Sequence, residues 1–422
     1  MILNYKFRNF MSFADDAEFS MLAPSTKVKN RFPDNYNTQQ NGYNILKTAV
    51  IVGENAGGKT NFVTSLDFFK SLFFSSDRVT SERVLTNTNN LKGNCRIYSD
   101  TTQFFEIELT DNADTIYKYS VEFDVFGIIN EKLFFKKDKA QEYKLVMEAT
   151  RILENLKCNE DGPNCDKKEC HIRGNGNYKL QVIDIGKEIR KSLEEAAKVE
   201  EPLGLFVTKI AILGNPIAIK FINLVKNDIC PVSNSINYDL YKSLRKERED
   251  LEILEKEEFF TIFNMIDYSI KKIEVNQEDP FTKSKIYRKN AKGEYFVKEL
   301  AMDSSGVREF FAWAIQIYRV VYENKVVFAD EMDRVLNPVL SDRVISFING
   351  KKHNGQFVFT SHNVLHLDLK TYMKEQIYFI SKDSENLNSE LYSLADFPEV
   401  RYETTKIYEF YMKGILGGTA VE

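Results

Sequence analysis

The run Thr48-Ala49-Val50-Ile51-Val52 leads directly into Gly53-Glu54-Asn55-Ala56-Gly57-Gly58-Lys59-Thr60, and no other stretch narrows the fold as much. The apolar, β-branched run suits a strand buried on both faces. Beyond it, Phe62, Leu66, Phe69 and Phe73 recur with helical spacing, which predicts an amphipathic helix. Between the two, Gly53, Gly57 and Gly58 lack the Cβ that would prevent a tight backbone curl. Several N–H groups can then converge on an anion at the positive end of the helix. The pattern is the phosphate loop G-x-x-x-x-G-K-[ST], and the strand–loop–helix context is the one it requires. Gly53, Glu54, Asn55, Ala56, Gly57, Gly58, Lys59, Thr60 and Asn61 are therefore candidate nucleotide ligands. Lys59 would reach the β- and γ-phosphates, and the Thr60 hydroxyl would ligate Mg²⁺.

A second apolar strand, Val326-Val327-Phe328-Ala329, ends in Asp330-Glu331. Asp330 would hold the same Mg²⁺, and Glu331 would act as general base on a water. Upstream, Asp303-Ser304-Ser305-Gly306-Val307-Arg308 precedes a long apolar helix, so its hydroxyls and N–H groups offer an anion site at a helix start. Downstream, Thr360-Ser361-His362-Asn363 follows another apolar strand, and His362 can contact a γ-phosphate or an attacking water.

Composition sets limits around this chemistry. With 57 Lys+Arg against 62 Asp+Glu over 422 residues, the net charge of −5 excludes a uniformly basic coat, though not a local basic groove. Lys27 to Arg31, Lys136-Lys137 and Lys283 to Lys292 are basic clusters that would have to share one face to hold nucleic acid. Solvated surface charge explains them equally well. Five cysteines, an odd number, do not make a disulfide framework and point to a reducing compartment. Cys158, Cys165, Cys170 and His171 could bind Zn²⁺ tetrahedrally, but paired C-x2–4-C spacing is absent. The N-terminus has charges where a signal peptide needs an apolar stretch. The most apolar window, 203–225, is interrupted by Lys209, Asn215, Pro216, Lys220 and Asn223. A soluble cytoplasmic protein without membrane contact is expected.

Three segments are predicted. Residues 1–150 carry the phosphate loop and several antiparallel strands between 102 and 140. Residues 151–300 read as a mostly helical insertion, a partner or nucleic-acid surface, with one charged surface helix from Lys242 to Phe263 and a hairpin near KNAKGE. Residues 301–422 return to alternating helix and strand and would complete one sheet with the first segment.

The order of phosphate loop, serine–glycine motif, acidic strand end and histidine resembles an ABC-type ATPase head of the SMC/RecF/OLD kind. Asn9-Phe10-Met11-Ser12-Phe13, DSSGVRE, QIYFISKD, SELYSLADF and the tail from Tyr411 to Gly418 resemble, more narrowly, the stand-alone AbiLi and RloA ATP-binding proteins of anti-phage systems. The resemblance implies an α/β P-loop NTPase fold of ABC-ATPase type, a two-lobed head with a mixed sheet, an antiparallel β subdomain and a largely helical insertion. It further implies that Ser304, Ser305 and Gly306 bind the γ-phosphate held by the partner subunit's Lys59, so that two ATPs are sandwiched in a head-to-tail homodimer or a higher oligomer. Asp333 to Asn337 would couple the sites, and His362 would be the switch histidine. Asp303 stands in place of the usual Glu, and Asn337 in place of a His before Pro. Gln103 is the candidate for the remaining Mg²⁺-contacting glutamine. The implied role is an ATP-hydrolysing sensor or regulator of a separate toxin or nuclease encoded nearby. The rival readings are a RecF- or SMC-like DNA-repair clamp and an ATP-bound scaffold without turnover.

Overall fold

The computed structural model describes residues 1–74, 102–111, 113–124, 127–152, 178–183, 191, 193, 204–232, 248–332, 336–403 and 406–417. In the first part come β1 (Ile2–Arg8), β2 (Ala17–Ser20), β3 (Tyr36–Thr38), β4 (Asn44–Leu46), β5 (Thr48–Gly53) and α1 (Lys59–Ser71). Then follow β6 (Gln103–Thr110), β7 (Ile116–Asp124), β8 (Gly127–Lys136), β9 (Lys144–Arg151) and β10 (Tyr178–Val182). The middle holds α2 (Phe206–Ile212), α3 (Pro216–Asp228), β11 (Ile229–Val232), α4 (Arg248–Leu254), α5 (Glu257–Phe263), β12 (Ile270–Glu274), β13 (Lys285–Lys289) and β14 (Tyr295–Glu299). Last are α6 (Ser305–Glu323), β15 (Val326–Ala329), α7 (Pro338–Gly350), β16 (Gln356–Ser361), β17 (Ile377–Lys382), β18 (Ser389–Ser393) and α8 (Ile407–Met412).

Two sheets dominate. A seven-stranded sheet runs β10-β9-β8-β7-β6-β1-β2, antiparallel throughout, and a six-stranded sheet runs β11-β15-β16-β5-β17-β18. In the second, all neighbours are parallel except β17 and β18. Buried parallel strands read as unbroken apolar runs because both faces are covered, and β5 shows how. Ala49 and Ile51 point into a core shared with α1 and the antiparallel sheet, while Val50 and Val52 point into a second core under α6 and α7. The abundance of phenylalanine has a structural use. Phe7, Phe10, Phe13, Phe62, Phe68, Phe69 and Phe105 pack ring against ring between the sheets, with centroids as close as 5.0 Å for Phe7 and Phe13. Such edge-on and tilted aromatic contacts add to the area they bury.

The middle of the chain differs from the sequence expectation. Within 151–300, β10 extends the antiparallel sheet and β11 forms an edge of the parallel sheet, so these residues are built into both layers. β12, β13 and β14 make a separate three-stranded sheet. The expected helix from Lys242 to Phe263 is, over its described part, two short helices. They break at Glu255 and Lys256, because α5 turns to bury Phe259, Ile262 and Phe263 against α6. The apolar window is core, as its interruptions imply: Phe206, Val207, Ile210, Ala218, Phe221 and Val225 are buried. Among the described residues no single helix is long and apolar enough to cross a membrane.

Candidate nucleotide site

The phosphate loop is held by backbone packing that only glycine allows. A Cβ on Gly53 would lie 2.2 Å from the Ile380 carbonyl oxygen of β17, and Gly58 has φ 118°. Ala56 also takes a left-handed conformation, φ 61°. The loop curls around the Lys59 ammonium, which donates to the carbonyls of Gly53 at 2.9 Å and Glu54 at 2.8 Å. On the far side, the Lys382 amide donates to Glu54 Oε1 at 3.1 Å, tying the loop to β17.

The parallel order sets the rest. β16 lies between β5 and β15, so the C-terminal ends of all three strands meet beside the loop. Asp330 is 1% exposed and receives two hydroxyl donors, Thr60 at 2.8 Å on Oδ2 and Thr360 at 2.7 Å on Oδ1. Burial pushes its carboxyl above the ordinary carboxylate range, and these hydroxyls and the Lys59 charge counteract only part of that. Thr360 Oγ1 also accepts from the Glu331 amide at 2.8 Å. That amide belongs to a residue with φ 50°, an uncommon conformation for a side chain with a Cβ. His362 lies 3.3 Å by Nε2 from Glu331 Oε1 and 3.4 Å by Nδ1 from Lys59 Nζ. One tautomer satisfies both contacts: Nε2–H donates to the carboxylate, and Nδ1 accepts from the ammonium. Lys59, Thr60, Asp330, Glu331 and His362 thus form one connected set, as their motifs predict, with Thr360 at its centre.

Thr60 and Asp330 are the residues that would hold a divalent cation, since a hydroxyl and a deeply buried carboxylate meet there. Among the described residues no group of three or more His, Cys, Asp or Glu is arranged to hold a metal. The zinc candidates Cys158, Cys165, Cys170 and His171 lie outside the described residues.

The serine motif sits at the start of α6. Ser304 caps the helix, its Oγ accepting from the Val307 amide at 3.4 Å, and Ser304 and Ser305 are exposed. Asp303 is paired with Arg288 of β13 at 2.7 Å, which anchors the approach to the helix. A cavity of about 490 Å³, lined by Arg288, Phe296, Lys298, Asp303 and Ser304 among others, lies alongside. Ser304 bonds to its own helix and to Asp303.

Other sequence candidates have local partners in the structure. Gln103 lies in β6, fully buried, and donates to the Asn9 carbonyl at 2.8 Å, so it belongs to the antiparallel sheet and not to the nucleotide site. Asn337 caps α7, accepting from the Leu340 amide at 2.9 Å, while 333–335 lie outside the described residues. Some residues of the basic clusters have local partners. Lys136 lies over the Tyr143 ring, Arg31 pairs with Glu403, Lys285 with Glu274, and Arg288 with Asp267 and Asp303.

Residues 217–368 match the family model described as "AAA domain, putative AbiEii toxin, Type IV TA system". That span runs from α3 through His362 and includes the serine motif and the acidic strand end. The fold is α/β, a mostly parallel sheet with the phosphate loop between β5 and α1, beside an antiparallel sheet. Solved structures with similar folds include an Smc head bound to the C-terminal winged-helix domain of ScpA, at 13% identity and TM-score 0.43, covering 93% of this chain and 97% of that one. The SMC head domain of Thermotoga maritima has 13% identity and TM-score 0.37, covering 93% and 98%. An Smc head with coiled coil and joint from Pyrococcus yayanosii has 13% identity and TM-score 0.43, covering 97% and 99%. No curated protein matches the chain in sequence.

Proposed function

We propose that this chain is an ATP-hydrolysing switch, working as an ATP-sandwiched homodimer that controls a separate toxin or nuclease in anti-phage defence. The observation that carries the ATPase reading is the unbroken line of contacts from Thr60 through Asp330 and Thr360 to Glu331, and on through His362 to Lys59. It brings the phosphate loop, the Thr60 and Thr360 hydroxyls, two carboxylates and an imidazole together at one strand edge.

The roles follow from position. The loop amides and Lys59 bind the β- and γ-phosphates and neutralise charge on them as the terminal bond breaks. Thr60 and Asp330 would hold Mg²⁺, which when bound would compensate charge on the phosphate oxygens. Glu331, 29% exposed at its side chain, faces outward where water arrives and takes the proton as the water oxygen attacks the γ-phosphorus. His362 holds the Glu331 carboxylate by Nε2–H and relays the field of Lys59. ADP and phosphate leave, and the closed dimer reopens.

Two features support the cross-subunit arrangement. Ser304 and Ser305 are exposed at a helix start, and the Ser304 bonds run to Asp303 and to its own helix. The regulatory role is supported by the match to a family described in terms of AbiEii toxins and a type IV toxin–antitoxin system. Glu331→Gln tests the chemistry. The variant is expected to bind ATP, to lose phosphate release and to run as a dimer in ATP and Mg²⁺ by light scattering. Wild-type turnover in that variant would remove Glu331 as the base. A rate that rises several-fold with DNA would instead favour the repair-clamp reading.

A further inference from the structure

Ser12 and Ser389 come from opposite ends of the chain, 377 residues apart, and meet against the phosphate loop. Ser12 is presented by a tight turn. Phe10 and Phe13 exchange backbone hydrogen bonds of 2.9 Å each, Met11 between them has φ 49°, and both phenylalanine rings are buried in the aromatic core. Ser389 begins β18, and its amide donates to the Ser12 carbonyl at 2.7 Å. The side chains then form a line. Asn61 Nδ2 donates to Ser12 Oγ at 2.7 Å, the two hydroxyl oxygens are 2.7 Å apart, and Ser389 Oγ lies 2.5 Å from the Gly57 carbonyl.

The Ser389 hydroxyl is the donor, to the Gly57 carbonyl and toward Ser12 Oγ, which also accepts from Asn61 Nδ2. Ser12 Oγ, held by Asn61, seats the Ser389 hydroxyl, and that hydroxyl holds the Gly57 oxygen, so the three side chains act as one network. The consequence lies in the peptide joining Gly57 to Gly58. In a planar trans peptide the carbonyl and the next N–H point in opposite directions. Holding the Gly57 oxygen toward Ser389 therefore turns the Gly58 N–H away from Ser389. The latch sits so close that a Cβ on Gly58 would lie 2.4 Å from Ser389 Oγ and 2.8 Å from Ser12 Oγ.

We propose that Ser12 and Ser389 form a hydroxyl latch that orients the Gly57–Gly58 peptide for nucleotide phosphate, acting as positioning residues for ATP affinity. The inference rests on the ATP-binding reading above. The test uses the full chain with a fluorescent ATP analogue and Mg²⁺, comparing Ser12→Ala, Ser389→Ala, the double variant and Ser12→Thr. Each single alanine is expected to weaken binding about fivefold, the size of one hydrogen bond, with kcat at saturating ATP changed less than about twofold. The double variant should bind no worse than about twofold below either single one, because either change breaks the same line. Ser12→Thr, which keeps the hydroxyl, should bind like wild type. Unchanged affinity in Ser389→Ala, or effects of the two alanines that simply multiply, overturns the latch. If the wild type itself binds no nucleotide, the ATP reading fails separately. Amide exchange of the peptide 53–62 without nucleotide then decides the latch: it should quicken in Ser389→Ala, and an unchanged rate overturns it.

Discussion

Thr360→Val removes a hydroxyl that serves two groups while keeping the side chain's shape. In the wild type the hydroxyl donates to Asp330 Oδ1 at 2.7 Å and accepts from the Glu331 amide at 2.8 Å. The first bond is charge-assisted and buried, with Asp330 1% exposed, so its loss costs about 1.5–3 kcal/mol. The second restrains a residue at φ 50°, a conformation that carries strain of about 1 kcal/mol and persists only while its surroundings hold it. Both losses fall on groups assigned to the reaction, and neither falls on the loop amides that bind phosphate. Turnover should therefore drop about 10–100-fold, while the affinity for ATP changes less than about threefold. Thr360→Ser, which keeps the hydroxyl, should stay within about threefold of wild-type turnover. The assay is phosphate release against ATP concentration, with equilibrium binding measured alongside and circular dichroism to confirm folding. Wild-type kcat in Thr360→Val would refute the claim that this hydroxyl sets the two carboxylates.

Two further predictions concern stability. Glu131 is fully buried in β8 and accepts from the amides of Phe206 and Val207 and from the Tyr119 hydroxyl, yet burial pushes its pKa from 4.5 up to about 7. A raised folded-state pKa contributes stability that is complete below pH 4.5 and is lost as pH rises through 7, about 3 kcal/mol in all. Chemical denaturation of wild type and Glu131→Gln at pH 4.5 and pH 8 should show the variant gaining relative to wild type as pH rises; a constant difference would contradict this. Arg151, 1% exposed at its side chain, forms a two-pronged pair with Asp124 at 2.9 and 3.0 Å. Arg151→Ala should cost about 3–5 kcal/mol in denaturation, because it strands a buried carboxylate, whereas replacing both partners with apolar residues should cost much less.

What the sequence made legible was whatever is contiguous. The phosphate loop, the acidic strand end and the two helices that follow glycine or serine carry their own local signals, and the structure brings the phosphate loop and the acidic strand end together at one strand edge. The parts that escaped depend on distant pairings. Thr360 was visible only as a neighbour of His362, since nothing local reveals that its hydroxyl bridges Asp330 and Glu331, 30 and 29 residues away. Ser12 and Ser389 are ordinary serines until the chain ends are brought together. β11 is four residues long and starts directly after a helix, too short for periodicity to register as a sheet edge. The charge pattern of Lys242 to Phe263 suggested one exposed helix because it says little about Phe259 and Phe263, which need a core to face. Gln103 had the right residue type but lies in the wrong sheet, a distinction that only the strand order makes.

The central claim is that ATP is hydrolysed at a site shared between two chains, with Lys59 from one and Ser305 from the other. Mixing decides it. Lys59→Ala and Ser305→Arg proteins should each be silent in phosphate release, and an equimolar mixture should recover turnover, since each mixed dimer contains one site with both residues intact. A mixture as silent as its components, or a Ser305→Arg protein as active as the wild type, would contradict the account.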